Sequence, residues 1–136
     1  GVQTCALPIL VDHVLIFQSE NIQLTRFILR EMTIDSQVVR EIMSTYHLKE
    51  RYYFNKVLDY GMATGEFRNL SSQFIILQLK ALLSMPFLNT HYVAEVLHLL
   101  PYERYFAEKY GSEIFLWIKG TICSENHQPE KQLITI

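Results

Sequence analysis

The sequence lacks most of the residue patterns that carry chemistry. It has no cysteine pairs of the zinc-binding kind, no phosphate-binding glycine loop, no nucleophile elbow and no dinucleotide-binding fingerprint. Its most apolar segment, residues 74–88, is interrupted by polar residues and by Pro86, and it falls short of the roughly 20 apolar residues that span a membrane. The sequence therefore predicts neither an enzyme of a familiar motif class nor a membrane protein, and it indicates no cofactor.

Charge of one sign is scarce as well. The 12 Lys and Arg residues and 14 Asp and Glu residues give a formal net charge of −2, and the basic residues are scattered singly. Because DNA-binding surfaces cluster Lys and Arg, we do not expect this stretch to bind DNA by itself. Hydrophobic residues, by contrast, make up 49% of the chain, with eight tyrosines and eight phenylalanines. That content predicts a folded domain with an aromatic-lined interior or a buried helix interface.

The first half of the chain has apolar residues at helical spacing. A helical stretch covers residues 10–32 and is weakened near Asn21, which is able to cap a restart. Asp35 or Ser36 is suited to cap the next helix, which runs towards Gly65 either as one helix or as two. We therefore expect helices with one apolar and one solvated face, and no strand.

The second half begins with a helix stop. Gly65 suits the left-handed position just past a helix end, and Phe67 is placed to fold back onto the last turn. Ser71 or Ser72 then supplies an N-cap before a helix that is apolar nearly all round, a pattern typical of burial on more than one side. Pro86 is expected to end that helix. These elements predict an all-α fold, an antiparallel helical bundle.

Two further helices are expected after Pro86. Asn89 is suited to cap a short helix over residues 90–99, and Pro101 is placed to open the last helix. Gly111 lies inside this last helix, where it costs about 1 kcal/mol relative to alanine. That cost is easier to understand if another backbone approaches closely at Gly111.

In this sequence a helix end marked by glycines is followed by a long apolar helix. The residues that carry this pattern are Gly61, Gly65, Glu66, Phe67, Arg68, Leu70 and Ser71. This pattern resembles the C-terminal regulatory domain of the TetR/AcrR family of transcription regulators, and the resemblance extends over residues 21–123. It implies a bacterial regulator with a ligand pocket inside a helical bundle. It also implies a homodimer built from the last two long helices, residues 72–85 and 102–122. Nothing in the chain resembles the family's helix-turn-helix head, so DNA would be bound only through a head that this chain lacks.

The two ends of the chain are expected to lie outside this domain. Residues 1–9 match the translation of a widely used sequencing-adapter tail, and we expect them to be appended to a chain that is truncated at its N-terminus. The helical domain then covers residues 10–123, and residues 124–136 form a flexible tail. With Cys5 set aside, Cys123 is the one remaining thiol, which excludes an intrachain disulfide and fits a reducing cytoplasm.

Candidate site residues follow from the resemblance together with the helical pattern. A pocket would be largely apolar with a few polar orienting groups, and its candidate residues are Phe27, Tyr46, Tyr53, Phe54, Met62, Gln78, Leu82 and Phe87. The homodimer interface would use positions on the two long helices, for which the candidates are Phe74, Ile75, Leu79, Leu83, Tyr110, Gly111, Ile114, Trp117 and Ile118. An aromatic, apolar pocket predicts a hydrophobic or amphipathic small molecule as the effector.

One spacing is compatible with a metal site. His91, Glu95 and His98 lie at i, i+4 and i+7, so one helix face would present all three, and His and Glu are plausible ligands for a divalent ion. No second carboxylate accompanies them, so a solvated helix face is the favoured interpretation and no metal is predicted. Two other functions stay open, a free-standing helical adaptor and, with less support, a small all-α enzyme. A cavity-free core would favour the adaptor, and a buried pair of titratable groups in a pocket would favour the enzyme.

Overall fold

The computed structural model describes residues 6–34 and 36–124, and within those ranges every regular element is a helix. The helices are α1 (Ala6–Glu20), α2 (Ile22–Thr33), α3 (Gln37–Ala63), α4 (Ser72–Leu88), α5 (Thr90–Glu95) and α6 (Arg104–Thr121). The predicted all-α bundle is confirmed. Residues 6–9 belong to α1, where Leu7 is fully buried. Residues 1–5 and the expected tail, residues 125–136, lie outside the described residues, so the predicted domain boundaries stay predictions.

Two of the predicted helix caps are made by side chains. Ser36 Oγ accepts a hydrogen bond from the Val39 N–H at 3.3 Å, and Asn89 Oδ1 accepts one from the Tyr92 N–H at 3.1 Å. Both bonds satisfy a backbone donor that has no partner within its own helix. Ser71 also precedes α4, but its side chain makes no capping hydrogen bond.

The break between α1 and α2 lies at Asn21, as the sequence predicts, but the Asn21 side chain makes a different hydrogen bond from the expected cap. The Asn21 side-chain amide donates to the Phe17 carbonyl at 2.9 Å, so it satisfies the end of α1 and does not cap the start of α2. The following helix, α3, is continuous over 27 residues. Of the two alternatives for that region, one helix is therefore confirmed.

Three predicted helix boundaries are wrong. Pro86 lies inside α4, which continues to Leu88, and α5 ends at Glu95, well before residue 99. The last helix begins at Arg104, three residues after Pro101. A proline in the last turn removes one helical hydrogen bond, and the helix continues when the freed carbonyl finds another donor.

α1 and α6 run antiparallel and form the most extensive helix pair. Near the end of α1, buried Ser19 donates its hydroxyl to the Pro101 carbonyl at 2.8 Å. Beside it, Arg104 forms an ion pair with Glu20 at 2.9 Å. The hydrogen bond joins the C-terminal end of α1 to the turn that leads into α6, which explains why Pro101 is buried in that turn.

At Gly111, α6 packs closely against α1. A Cβ built on Gly111 would overlap the Asp12 carboxylate, and Leu15 Cδ1 would lie 3.7 Å away. The predicted close contact at this glycine is therefore present. Its neighbour is a side chain of the same chain, however, and not the expected second backbone.

One apolar core joins α1, α2, α3, α4 and α6. Its largest fully buried side chains are Phe87, Leu7, Leu15, Leu58, Leu79, Ile114, Ile118 and Ile122. Among the described helices, none is both long enough and apolar enough to cross a membrane.

Candidate functional site

The turn after α3 has the conformation that its glycines predict. Gly65 adopts a φ of +78°, in the left-handed region where a side chain is penalised. The Phe67 N–H donates to the Gly61 carbonyl at 2.9 Å, and the Phe67 ring lies so close to Gly61 that a Cβ there would overlap it. The predicted return of Phe67 onto the last helical turn is confirmed, and the ring is buried.

The same turn binds the end of α6. The Arg68 N–H donates to the Ile122 carbonyl at 2.8 Å, and the Arg68 guanidinium donates to the carbonyls of Gly120 at 2.9 Å and Cys123 at 3.3 Å. A cation that donates to the last carbonyls of a helix also interacts favourably with the helix dipole. The residues that carry the family resemblance therefore form a structural junction between α3 and α6.

The Cys123 thiol lies at this junction. Burial raises its pKa, the neighbouring Glu66 carboxylate raises it further, and Lys119 and Arg68 act in the opposite direction. Because the thiolate is the reactive form, this environment keeps Cys123 in its unreactive thiol form.

A second junction joins α4 to α6 through Pro86. Proline has no N–H, so Pro86 cannot donate to the carbonyl of Leu82, four residues earlier. The Tyr110 hydroxyl donates to that carbonyl instead, at 2.6 Å. Burial raises the pKa of Tyr110, which keeps the phenol protonated as a donor. The sequence analysis missed this bond, although an orphaned carbonyl four residues before any helical proline is a usable signal.

The stacked ring of Phe106 supports Tyr110, with centroids 5.3 Å apart, and Phe106 also meets Phe87 edge-on at 6.4 Å. These ring contacts hold the Tyr110 hydroxyl in the position from which it donates to the Leu82 carbonyl. A further contact that the sequence analysis missed joins α3 to α4, where Lys80 donates to both carboxylate oxygens of Glu50 at 2.8 and 3.0 Å.

α4 has two apolar faces. The face that packs in the core holds Ile75, Leu79, Leu83 and Phe87. The opposite face is exposed by 43% to 68% at its large apolar positions, which are Phe74, Leu77, Met85 and Leu88. On α6, Tyr105, Phe115 and Leu116 are likewise exposed. These two outward faces are the strongest candidates for contact with another protein surface.

The structure places the nine interface candidates mainly inside the chain. Six are buried, namely Ile75, Leu79, Leu83, Gly111, Ile114 and Ile118. Tyr110 and Trp117 are half-buried, and Phe74 alone of the nine is exposed. An interface through these helices would therefore use Phe74 and the outward positions beside it, because the buried six already pack within their own chain.

The eight pocket candidates are divided between the interior and the surface. Phe54 and Phe87 are buried, and Met62 and Leu82 are half-buried. The other four are exposed, namely Phe27, Tyr46, Tyr53 and Gln78. An open depression of about 340 Å³ lies elsewhere, at the start of α3, and is lined by Gln37, Arg40, Glu41 and Ser44. Because four of the eight candidates are exposed and four are buried or half-buried, the pocket stays a prediction.

The weak metal candidate is not supported by the helix geometry. α5 ends at Glu95, and His98 follows with a left-handed φ of 55°, so the three side chains do not share one helix face. Across residues 6–34 and 36–124, no group of three or more His, Cys, Asp or Glu side chains is placed to hold a metal ion.

The chain is similar to a protein named "Probable HTH-type transcriptional regulator YttP" from Bacillus subtilis (strain 168), with 47% identity over 111 residues. The match covers 82% of this chain and 54% of that protein, so the chain spans about half the length of this curated relative. No family model matches the chain. The similarity supports a role in transcription regulation. The helix-turn-helix named in that description is a feature of the relative.

Proposed function

We propose that this chain is the ligand-sensing and dimerisation part of a bacterial, cytoplasmic TetR-like transcription regulator. The likeness to a helix-turn-helix regulator supports the regulatory role, and the resemblance of residues 21–123 supports the family. The observation that carries the dimerisation proposal is the second apolar face of α4. DNA would be bound by a helix-turn-helix head of the kind named for the relative.

The dimer would bring α4 and α6 of two copies together as four helices. In a two-fold contact the same patch faces itself, so Leu77 on α4 and Leu116 on α6 would each be buried on both copies. Both residues are more than half exposed in the single chain. Burying a fully exposed leucine contributes about 1.5 to 3 kcal/mol, and burying the exposed part of these two contributes roughly 60% of that, so a few such residues can hold two helices together.

The effector would be a hydrophobic or amphipathic small molecule that lies among the inward-facing pocket candidates. Those residues are Phe54, Met62, Leu82 and Phe87. Such a ligand changes the separation of the two heads only if it binds one dimer arrangement more tightly than the other. Leu82 also accepts the Tyr110 bond, so a ligand beside Leu82 would act on the helix pair that we propose for the interface.

Sedimentation of two leucine variants tests the dimer. Leu77 on α4 and Leu48 on α3 are 64% and 65% exposed, so Leu77→Glu and Leu48→Glu make the same change at matched positions. We expect the original chain and Leu48→Glu to sediment as dimers at micromolar concentration, and Leu77→Glu to sediment as a monomer. A monomeric original chain, or equal behaviour of the two variants, would exclude α4 as the interface.

A further inference from the structure

The outward face of α3 carries a seven-residue repeat of tyrosine and lysine. Tyr46, Tyr53 and Tyr60 recur every seven residues, and Lys49 and Lys56 follow the first two tyrosines by three. The three tyrosines are 65%, 60% and 70% exposed, and both lysines are exposed. We call these five residues the tyrosine–lysine stripe.

The stripe points in a different direction from the face by which α3 joins the core. That inner face holds Phe54, Leu58 and Gly61, all of which are buried. With a rotation of about 100° per residue, the five stripe positions fall within a sector of about 80°, whose centre lies about 125° from the centre of that inner face. The stripe therefore faces mainly solvent, and none of its residues belongs to the core cluster.

The spacing of the stripe matches a helical partner. Positions that alternate by three and four residues have an average period of 3.5, the period of a coiled-coil seam. Ile42 extends the alternation by four residues towards the N-terminus and is 60% exposed. From Ile42 to Tyr60 the seam is about 27 Å long at 1.5 Å per residue, which is five turns of helix.

The charge of the stripe favours an acidic partner. Lys49 and Lys56 are its charged members, and the ion pairs among the described residues include neither of them. The Lys56 ammonium lies 5.1 Å from the centre of the Tyr52 ring, beside the stripe. The nearby carboxylate of Glu50 is already paired with Lys80, and Asp59 lies at the edge of the stripe.

Other occupants fit this surface less well. The lysines lie in the middle of the seam, so a lipid surface would have to bury charges at the centre of the contact, where amphipathic helices place apolar residues. Two lysines on a chain of net charge −2 are few for nucleic acid. A second copy in parallel register would set lysine against lysine.

We propose that the tyrosine–lysine stripe binds an acidic, amphipathic helix of a partner protein. Apolar residues of that helix would pack against the tyrosine rings, and its glutamates or aspartates would pair with Lys49 and Lys56. Tyrosine suits such a seam because it supplies contact area at a small loss of side-chain entropy. The proposal rests on α3 alone and stands independently of the dimer proposed for α4 and α6.

Synthetic helical peptides of about three heptads provide the probe. Two peptides alternate leucine and glutamate along the seam. In one peptide the glutamates meet the two lysines when it binds parallel to α3, and in the other they meet them when it binds antiparallel. Two control peptides carry lysine in place of the seam glutamates. Each labelled peptide is titrated with the whole 136-residue chain, and fluorescence anisotropy gives the dissociation constant.

Charge reversals on α3 supply matched variants. Lys49→Glu and Lys56→Glu change the stripe, whereas Arg51→Glu makes the same charge change at an exposed position of the same helix outside the stripe. We expect each stripe variant to raise the dissociation constant of the better glutamate peptide about tenfold, and Arg51→Glu to change it less than about twofold. The double variant Lys49→Glu/Lys56→Glu should bind a lysine peptide, which also shows that it is folded.

Several results would overturn the proposal. Equal binding of glutamate and lysine peptides, or an equal effect of Arg51→Glu, would show that the stripe does not select an acidic helix. Stripe-dependent binding to anionic vesicles without peptide binding would assign the surface to lipid. Self-association that Tyr53→Ser abolishes, again without peptide binding, would assign it to a second copy.

Discussion

Tyr110 compensates for a hydrogen bond that Pro86 removes from α4. The Leu82 carbonyl loses its helical donor because proline has no N–H, and the Tyr110 hydroxyl takes that place at 2.6 Å. The bond also ties α6 to the last turns of α4. A backbone group that is unpaired inside a protein costs about 1 to 3 kcal/mol, so this contact is large on the scale of the stability of a small domain.

A double-mutant cycle tests this compensation. Tyr110→Phe keeps the ring but leaves the Leu82 carbonyl without its donor, and we expect it to lower the free energy of unfolding by about 1 to 3 kcal/mol. In a Pro86→Ala background the new N–H can donate to Leu82, so the loss should shrink by about 1 kcal/mol. Urea denaturation at fixed protein concentration measures all four chains.

Tyr105→Phe is the control for this cycle, because Tyr105 is an exposed tyrosine on the same helix. Its effect should stay within about 0.5 kcal/mol. If Tyr110→Phe and Pro86→Ala proved additive, the Leu82 carbonyl would not be the link between them.

Two helical glycines should respond in opposite ways to alanine. At Gly61 a Cβ would overlap the Phe67 ring, so Gly61→Ala should lower the free energy of unfolding by about 1 to 3 kcal/mol. At Gly120 nothing lies within 4 Å of the new Cβ, and Gly120→Ala should raise it by about 0.5 to 1 kcal/mol. Thermal or urea unfolding shows whether each variant raises or lowers the free energy of unfolding. Stabilisation by Gly61→Ala would mean that the Phe67 ring moves away from the new Cβ at little energetic cost.

At the scale of elements, the turn between α3 and α4 also terminates α6. Arg68 satisfies the carbonyls of Gly120 and Cys123, and the Ser124 N–H donates to the Glu66 carbonyl at 2.9 Å. The end of one helix is therefore held by the turn that follows another. Within residues 61–68, two glycines, a buried ring and a cation each meet a separate requirement of the junction.

Replacing Arg68 should loosen the last turn of α6. We expect Arg68→Met to lower the free energy of unfolding by about 1 kcal/mol, because it removes two charge-assisted hydrogen bonds that are partly exposed to solvent. Hydrogen exchange should show faster exchange at Ile122 and Cys123, with little change in α1. Arg104→Met, which breaks exposed ion pairs at the other end of α6, should cost less than about 0.5 kcal/mol. Equal losses in the two variants would contradict a special role for Arg68.

Element type was predictable from the sequence, and several element ends were not. Periodic apolar residues locate the helices, and Gly65, Ser36 and Asn89 mark stops and starts through local chemistry that needs no distant partner. The ends near Pro86 and Pro101 depend on donors far along the chain, Tyr110 and Ser19 respectively. Local sequence cannot supply that information, so the proline rules predict ends that the tertiary bonds override.

The candidate sites were less predictable, for a related reason. The sequence identifies α4 as apolar on nearly all sides, but it does not say which side faces the core. Ile75 and Phe74 are adjacent in the chain, yet one is buried and the other is 68% exposed. Which of the two residues is buried depends on where α2, α3 and α1 pack against α4. The regular Tyr–Lys repeat on α3, by contrast, is visible in the sequence and was missed because two of its tyrosines, Tyr46 and Tyr53, were interpreted as pocket residues.

At the scale of the whole molecule, much apolar surface remains exposed on one chain. Leu77, Met85 and Leu88 line the outer face of α4, and Leu116 is exposed on α6. Contiguous patches of this kind are uncommon on monomers that work alone. A dimer would remove this surface from water, and the folding of each chain would then be linked to its association with the other.

That linkage predicts a melting temperature that depends on protein concentration. If folding and dimerisation are coupled, a tenfold rise in concentration adds about 1.4 kcal/mol to the stability of the dimer, and the melting temperature should rise by a few degrees. Leu116→Glu tests whether α6 shares the interface with α4, because a charge at that position would be buried in the dimer but solvated in the monomer. We expect this variant to melt at a temperature independent of concentration, and Leu48→Glu to keep the concentration dependence. A Leu116→Glu chain that retained the dependence would confine the interface to α4, and a concentration-independent original chain would mean that its exposed apolar faces are not closed by a second copy.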